Sequence, residues 1–482
     1  MFDNLDPRAL SSAEDAAVVG AIGDWARAEA AAAARRLAAI AELVERRCPV
    51  DHLDPDLVDQ RSRWACDPWD ATAAEVGAAL GISSRRASSM MYLAQSLRDR
   101  LPEVNALFLA GRIGARLVST ISWRTHCVVG GAAMAAIDAE IARVAERLGA
   151  LSERRVETLI DVAVDAHDPQ AREWFRQAAR GMDVQFGKPG DDSGTRSVWG
   201  RLFSTHAELI ERRLTAIARS VCDADPRTVG QRRAEAMGAV FAGADRIACR
   251  CGSPDCPNPT SAALKDSVII HVVADSGAVQ QARSREAVGP RKRTAALMTN
   301  GGVVPNPLLE QLIRDGAQVV PLTTPCEEAE PRYRPSVKLQ RFVRCRDLTC
   351  RFPGCDAPAE ACDIDHAIAY PLGPTHPSNL RCLCRKHHLL RTFWTGVGGW
   401  SDNQSADGTI VWTAPTGHTY TTHPGARMHF PEWEVTTGAL APVEPGAPRP
   451  ASRSLQMPRR RRTRAAERTQ RIKNRRAHND SS

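Results

Sequence analysis

Four metal-ligand residues in two short-spaced pairs constrain this chain more than any other feature. Cys350 and Cys355 form the first pair, and Cys384 and His387 form the second. A tetrahedral zinc ion takes four soft or borderline donors, commonly as two such pairs. Each spacing lets a tight knuckle aim both side chains at one ion. A compact region with few large apolar residues gains a staple in this way. The sequence therefore predicts a structural Zn2+ held by Cys350, Cys355, Cys384 and His387.

The other thiols sharpen the pattern. Ten of the 14 cysteines fall between Cys249 and Cys384. The N-terminus, Met1-Phe2-Asp3-Asn4-Leu5-Asp6, lacks a basic start followed by an apolar stretch, so a secretory leader is not expected. Clustered thiols without an export signal read as metal ligands before disulfides, which points to a cytoplasmic protein. No apolar run reaches the roughly 18 residues of a membrane span, so no membrane partner is expected. Cys249, Cys251 and Cys256 look like a second knuckle with three thiols; Cys222 and His271 are candidates for a fourth ligand. Cys345, Cys362 and Cys382 break the four-ligand pattern and read as spare buried thiols.

Along the chain, residues 1–170 read as a helical domain. Residues 12–47 form one long helix, with Ser11 or Ser12 as N-cap and Glu14 in the first turn. Ala73 to Leu93 resembles a helix-turn-helix, with Gly81 at the turn and Arg85 and Arg86 opening the second helix. A plain helical hairpin needs the same apolar spacing. Residues 131–166 read as another long helix, and long amphipathic helices can pair between chains, which allows a homodimer. Residues 171–330 read as an α+β continuation. Its strands are Met182–Phe186, Arg196–Phe203 and Ser267–Ala274, and its helices lie near 204–220 and 228–244. Residues 331–396 hold the ligand pairs, and 397–440 read as a β-hairpin appendage with turns at Asp407-Gly408 and Thr416-Gly417. The net charge is +8, and residues 449–482 alone carry twelve Lys/Arg against two acids. Residues 441–482 have almost no large apolar groups and are expected to be a disordered basic tail that contacts polyanions.

Between the ligand pairs stand Asp363-Ile364-Asp365-His366 and Ser378-Asn379-Leu380, and the second pair sits in Cys384-Arg385-Lys386-His387-His388. These residues resemble the HNH (ββα-metal) endonuclease family, whose letters fall on His366, Asn379 and His388. The wider layout, including Pro335–Phe342 and the turn at Gly399-Trp400, resembles the actinobacterial 13E12-repeat proteins. Those pair a helical domain of unknown function with a C-terminal HNH module. The resemblance implies a metal-dependent nuclease acting on DNA, duplex DNA above all. His366 is then the general base that activates water, a task that suits its near-neutral pKa. Asp365 and His388 are then ligands of a catalytic divalent ion such as Mg2+ or Mn2+. Asn379 then fixes the loop that orients His366. Many members have cysteine where His387 stands, and a lysine near the place of Arg391, which can still contact phosphate. The rival reading is a non-catalytic DNA-binding or regulatory protein that uses the HNH unit as a zinc scaffold.

Overall fold

Alanine-rich helical periodicity dominates the first third of the chain, and it folds as such. In the computed structural model, the described residues are 10–11, 13–48, 60–148, 151–171, 183–187, 195–202, 204–256, 271–283, 296–299, 303–314, 316–325, 328–394, 399–440 and 456–479. The protein is mainly helical with small sheets, and it divides into two compact units. One joins Met1–Glu173 to Val319–Ser482, and the other is Trp174–Gln318. Among the described residues, no helix is long and apolar enough to cross a membrane.

Helix α1 (Asp15–Arg47) buries Ala30, Ala34, Leu37, Ile40, Ala41 and Val44 along one stripe. Its N-cap position is Glu14, one turn later than Ser11 or Ser12, and makes no side-chain cap. Helix α2 (Pro68–Leu80) starts at an Asp67 cap with Pro68 in its first turn and stops at Gly81, which takes the left-handed conformation. Helix α3 (Ser84–Asp99) follows at once, so the helix-turn-helix pattern does form a helical hairpin. Helices α4 (Pro102–Leu109) and α5 (Ala115–Arg124) follow. The stretch expected to be one helix over 131–166 is two, α6 (Gly131–Leu148) and α7 (Glu153–His167). Ser152 stands at the N-cap position of α7, in extended backbone, so the chain restarts there instead of running through. Met91, Leu97, Phe108, Ile121, Ile137 and Ile160 form the fully buried centre of this helical half.

The second unit begins with a short antiparallel hairpin, β1 (Asp183–Phe186) and β2 (Val198–Arg201). Helices α8 (Ser204–Ala218) and α9 (Val229–Phe241) pack together over a small core of Ile217, Val221, Ala236 and Ile247. A reciprocal capping box between Thr228 and Gln231 fixes the start of α9. A further antiparallel pair, β3 (Val272–Ala274) and β4 (Ala296–Met298), packs with α10 (Ser276–Arg283) and α11 (Asn306–Arg314). Only the end of the expected strand at Ser267–Ala274 falls within the described residues.

The C-terminal part returns to the first unit. It contains α12 (Val337–Asp347), β5 (Cys362–His366), β6 (Leu380–Cys384) and α13 (Arg385–Phe393). Strands β5 and β6 pair antiparallel, with Cys362 opposite Cys384 and His366 opposite Leu380. The expected β-hairpin appendage is a three-stranded sheet, β7 (Ser401–Gln404), β8 (Ile410–Thr413) and β9 (Thr419–Thr422). It is not an appendage. Trp412 from β8 is fully buried with Phe342, Phe352 and Leu383, and its Nε1 donates to the Arg351 carbonyl at 3.0 Å. A short helix, α14 (Gly425–His429), closes the region.

The tail corrects a second expectation. Residues 441–455 and 480–482 lie outside the described residues, but 456–479 are ordered and end in α15 (Arg464–Asn479). Composition misleads here because charge pairing replaces apolar burial. Arg460 and Arg464 bond Asp67 and Asp70, two carboxylates only 2% exposed on the start of α2. Met457 is buried, Arg459 bridges to Trp64, and Arg476 pairs with Asp168 at 2.6 Å.

Candidate metal centre and the histidine strand

The first ligand pair sits on a knuckle after α12. Cys355 N–H closes it on the Phe352 carbonyl at 3.1 Å, and Cys350 N–H bonds the Ala357 carbonyl at 2.8 Å. The second pair spans the end of β6 and the first turn of α13. All four donor atoms of Cys350, Cys355, Cys384 and His387 lie within 4.8 Å of one another, so this group can hold a structural metal such as zinc. The backbone N–H of Cys384 points at Cys350 Sγ at 3.3 Å, as suits a sulfur carrying negative charge. His387 turns Nδ1 toward Cys384 Sγ (3.3 Å) and Cys350 Sγ (3.5 Å), while Nε2 meets Ser84 Oγ at 3.0 Å. Phe352 stacks on its ring with centroids 4.0 Å apart. The imidazole is thus held on both nitrogens and one face.

Ser84 opens α3, so the helical hairpin forms one wall of this centre. At the tip of the knuckle Gly354 has φ +72°, and a Cβ there would stand 2.5 Å from the Ile82 carbonyl in the hairpin's turn. Only glycine admits both the conformation and the approach. The turn of the α2–α3 hairpin is therefore packed against the knuckle, although Arg85 and Arg86 remain exposed. Lys386, between the two ligands of α13, reaches Asp70 at 2.8 Å.

The residues of the histidine strand divide between its two sides. Asp363 and Asp365 share one face of β5, as the two-residue period requires. Asp365 Oδ2 accepts from Arg381 Nε and Nη2, both at 3.2 Å, and its Oδ1 faces His388 Nε2 at 3.5 Å. His388 Nδ1 donates to Asp363 Oδ2 at 2.8 Å. The ring thus stands between two carboxylates, Asp363 at Nδ1 and Asp365 at Nε2. His366 engages other partners. Its Nε2 meets Thr375 Oγ1 at 3.0 Å, and Tyr333 stacks on its ring with centroids 5.3 Å apart. Thr375 Oγ1 is also 2.6 Å from the Arg332 carbonyl. That carbonyl can only accept, so the single hydroxyl hydrogen goes there and Thr375 accepts from His366 Nε2–H. Nδ1 is left as the basic nitrogen. Burial, with 6% of the residue exposed, lowers the His366 pKa, and the Asp365 charge opposes that only in part.

Asn379 is 1% exposed and ties down the loop after His366. Its Oδ1 accepts from Ile368 N–H at 2.7 Å, and its Nδ2 donates to the carbonyls of Ile368 and Pro374, both at 2.9 Å. Arg391, which the resemblance allows to contact phosphate, bonds Asp402 and the Ala367 carbonyl. Arg381 is fully buried between Asp365 and Asp402, with its guanidinium over the Trp412 ring. Beside it, burial alone would raise the Asp347 carboxyl, but Arg346 and Arg351 overcome that and hold it below the ordinary range. Of the spare thiols, Cys362 and Cys382 are buried and Cys345 half-buried; burial pushes Cys345 up to about 11 and Cys382 well above its ordinary value. Sequence reasoning gave no role to Asp363, Thr375, Arg381 or Ser84. The alternation along β5 could have found Asp363, and its pairing with Asp365 could have found Arg381; Thr375 and Ser84 carry no local signal.

In the second unit, the fourth residue grouped with Cys249, Cys251 and Cys256 is Cys222, not His271. The turn after α8 brings Cys222 back to the segment after α9, whereas His271 precedes β3.

A mainly helical chain with cysteine and histidine clusters is thus the class the fold defines. The chain belongs to the family described as "Domain of unknown function (DUF222)", which matches residues 24–347. That match ends with α12, just before the first ligand of the knuckle. The chain is 53% identical over 488 residues to "Uncharacterized protein Rv3776" of Mycobacterium tuberculosis, covering 98% of this chain and 92% of that one. It is 51% identical over 506 residues to "Uncharacterized protein Rv2100" of the same organism, covering 99% and 90%. No solved structure matches it.

Proposed function

We propose that the protein is a metal-dependent endonuclease of the HNH class that hydrolyses phosphodiester bonds of DNA, duplex DNA above all. The observation that carries this reading is that Asp365 Oδ1, on the strand that ends in His366, and His388 Nε2, on α13, face each other at 3.5 Å. A carboxylate and an imidazole turned to one point can share a divalent cation, and the Cys350, Cys355, Cys384 and His387 centre needs neither of them. Asp365 and His388 would hold that ion, and it would supply charge stabilisation at the scissile phosphate and its leaving oxygen.

The protein's own groups do the rest. Thr375 and the Arg332 carbonyl hold His366 as the Nε2–H tautomer, so Nδ1 accepts the proton of the attacking water. Burial keeps the ring neutral and ready to do so. Asn379 holds the following loop, and Asp363, bonded to Nδ1, keeps Nε2 of His388 turned to Asp365. Exposed Arg332, Arg334, Lys338 and Arg341 offer a cationic approach for a phosphate backbone. The rival DNA-reading role of the α2–α3 hairpin retains only Arg85 and Arg86, because its turn is covered.

The test is nicking of supercoiled plasmid by the full chain in Mg2+ or Mn2+. The wild type nicks, and His366→Ala slows cleavage by about 100-fold or more. Equal cleavage by the variant removes His366 from the role. No cleavage with either metal, alongside DNA binding, favours the regulatory reading.

A further inference from the structure

We infer that the second unit carries its own structural zinc, held by Cys222, Cys249, Cys251 and Cys256. Four sulfurs bound tetrahedrally at about 2.3 Å from one zinc stand about 3.8 Å apart. The four Sγ atoms here all lie within 4.8 Å of one another, and Cys222 and Cys249 are 3.4 Å apart. A disulfide would join two at about 2.0 Å and leave the other two without purpose. The core beside them is small, Ile217, Val221, Ala236 and Ile247, and Cys249 packs against it.

The backbone is built to bring them together. Cys222 follows α8 and the other three follow α9, so two distant segments must meet. Asp225 and Arg227 brace that meeting. Arg227 donates through Nε and Nη2 to Asp225 at 2.9 and 2.6 Å, and through Nη2 to the Ala248 carbonyl at 2.7 Å. Asp225 Oδ2 accepts the backbone N–H of Arg250 at 2.9 Å. Both carry almost no exposed side-chain surface. From between Cys249 and Cys251, the Arg250 guanidinium reaches Glu235 on α9 at 3.1 Å and Gln311 on α11 at 3.4 Å. The knuckle is thereby the point where the α8–α9 pair and the β3–β4 part of this unit are joined. Four thiolates fill the tetrahedron and leave no open position, so the ion's role is to hold the fold.

The experiment counts metal on the full chain, purified without chelator from zinc-supplemented cells. Elemental analysis is expected to give two zinc ions per chain. Cys222→Ser and Cys384→Ser each reduce that to one, and the double variant to none. Cobalt replacement gives a readout that survives any loss of folding in the serine variants. Cys256→His keeps two ions and moves one set of ligand-field bands to shorter wavelength, as thiolate is exchanged for imidazole. A single zinc per chain that Cys384→Ser removes, a Cys222–Cys249 disulfide in the unreduced protein, or a cobalt spectrum unchanged by Cys256→His would each overturn the assignment.

Discussion

The two cysteine knuckles of this chain share a plan and differ in what surrounds them. Each has a cationic residue between two ligands that reaches a carboxylate on a neighbouring helix. In the C-terminal knuckle Lys386 reaches Asp70 on α2, and in the second unit Arg250 reaches Glu235 on α9. The C-terminal knuckle also stands on an aromatic core of Phe342, Phe352, Trp400 and Trp412, and on a buried ionic network. The knuckle of the second unit has a small aliphatic core and an ionic cluster of Asp225, Arg227, Arg232, Glu235 and Arg250. The two knuckles therefore differ chiefly in the core behind them, large and aromatic in one and small and aliphatic in the other. A metal site close to chemistry gains from the first arrangement, because its ligands are positioned by packing as well as by coordination.

The sharpest way to break this contrast is Asp347→Asn. Asp347 is fully buried, pairs with the equally buried Arg346 and Arg351, and accepts the Cys382 N–H at 2.8 Å. The isosteric change leaves two guanidinium groups without their counter-charge, at a cost of about 3–5 kcal/mol. Denaturant unfolding should show that loss while the metal on Cys350, Cys355, Cys384 and His387 is retained. The sign with pH follows from the direction of the shift. A carboxyl held below its ordinary value stabilises the fold fully above an unfolded pKa of about 3.9, and that stability is lost as pH falls through the lower folded value. The wild type should thus lead the variant at neutral pH and lose its lead in acid. If the variant instead loses metal and little stability, the network serves the knuckle alone.

Ser84→Ala tests whether the helical half contributes to the C-terminal knuckle. Its Oγ is the partner of His387 Nε2, 303 positions away in sequence. Loss of such an outer contact lowers metal affinity by about 10-fold. Competition with a chromophoric chelator measures it, and no shift would mean that the helical half adds nothing to the knuckle's affinity.

What the sequence revealed follows from the range of the forces involved. Ligand pairs are legible because coordination demands close spacing in the chain, and Cys350, Cys355, Cys384 and His387 met that demand. The helices of residues 15–167 are legible through periodicity, apart from the break at Ser152. Ser84, Thr375 and the Asp347 network depend on contacts between segments that no local pattern encodes. The basic tail failed for a different reason. Low apolar content reads as disorder, yet Asp67 and Asp70 present buried negative charge that only a complementary segment can satisfy.

That failure leads to the smallest expected effect. Arg464 bonds Asp67 at 2.9 Å and Asp70 at 2.8 Å, but Arg460 and Lys386 serve the same carboxylates. The Arg464 side chain also keeps 24% exposure, so its charge is partly screened. Arg464→Ala should therefore cost only about 1 kcal/mol in denaturant unfolding. The exposed Arg471→Ala should cost nothing measurable. A second substitution, Asp70→Asn, makes the measurement diagnostic. If the tail reinforces the knuckle through this shared carboxylate, the two losses fall short of additivity, because Arg464, Arg460 and Lys386 converge on Asp70. Strict additivity would place the tail outside the knuckle's support and leave the two knuckles more alike than their surroundings imply.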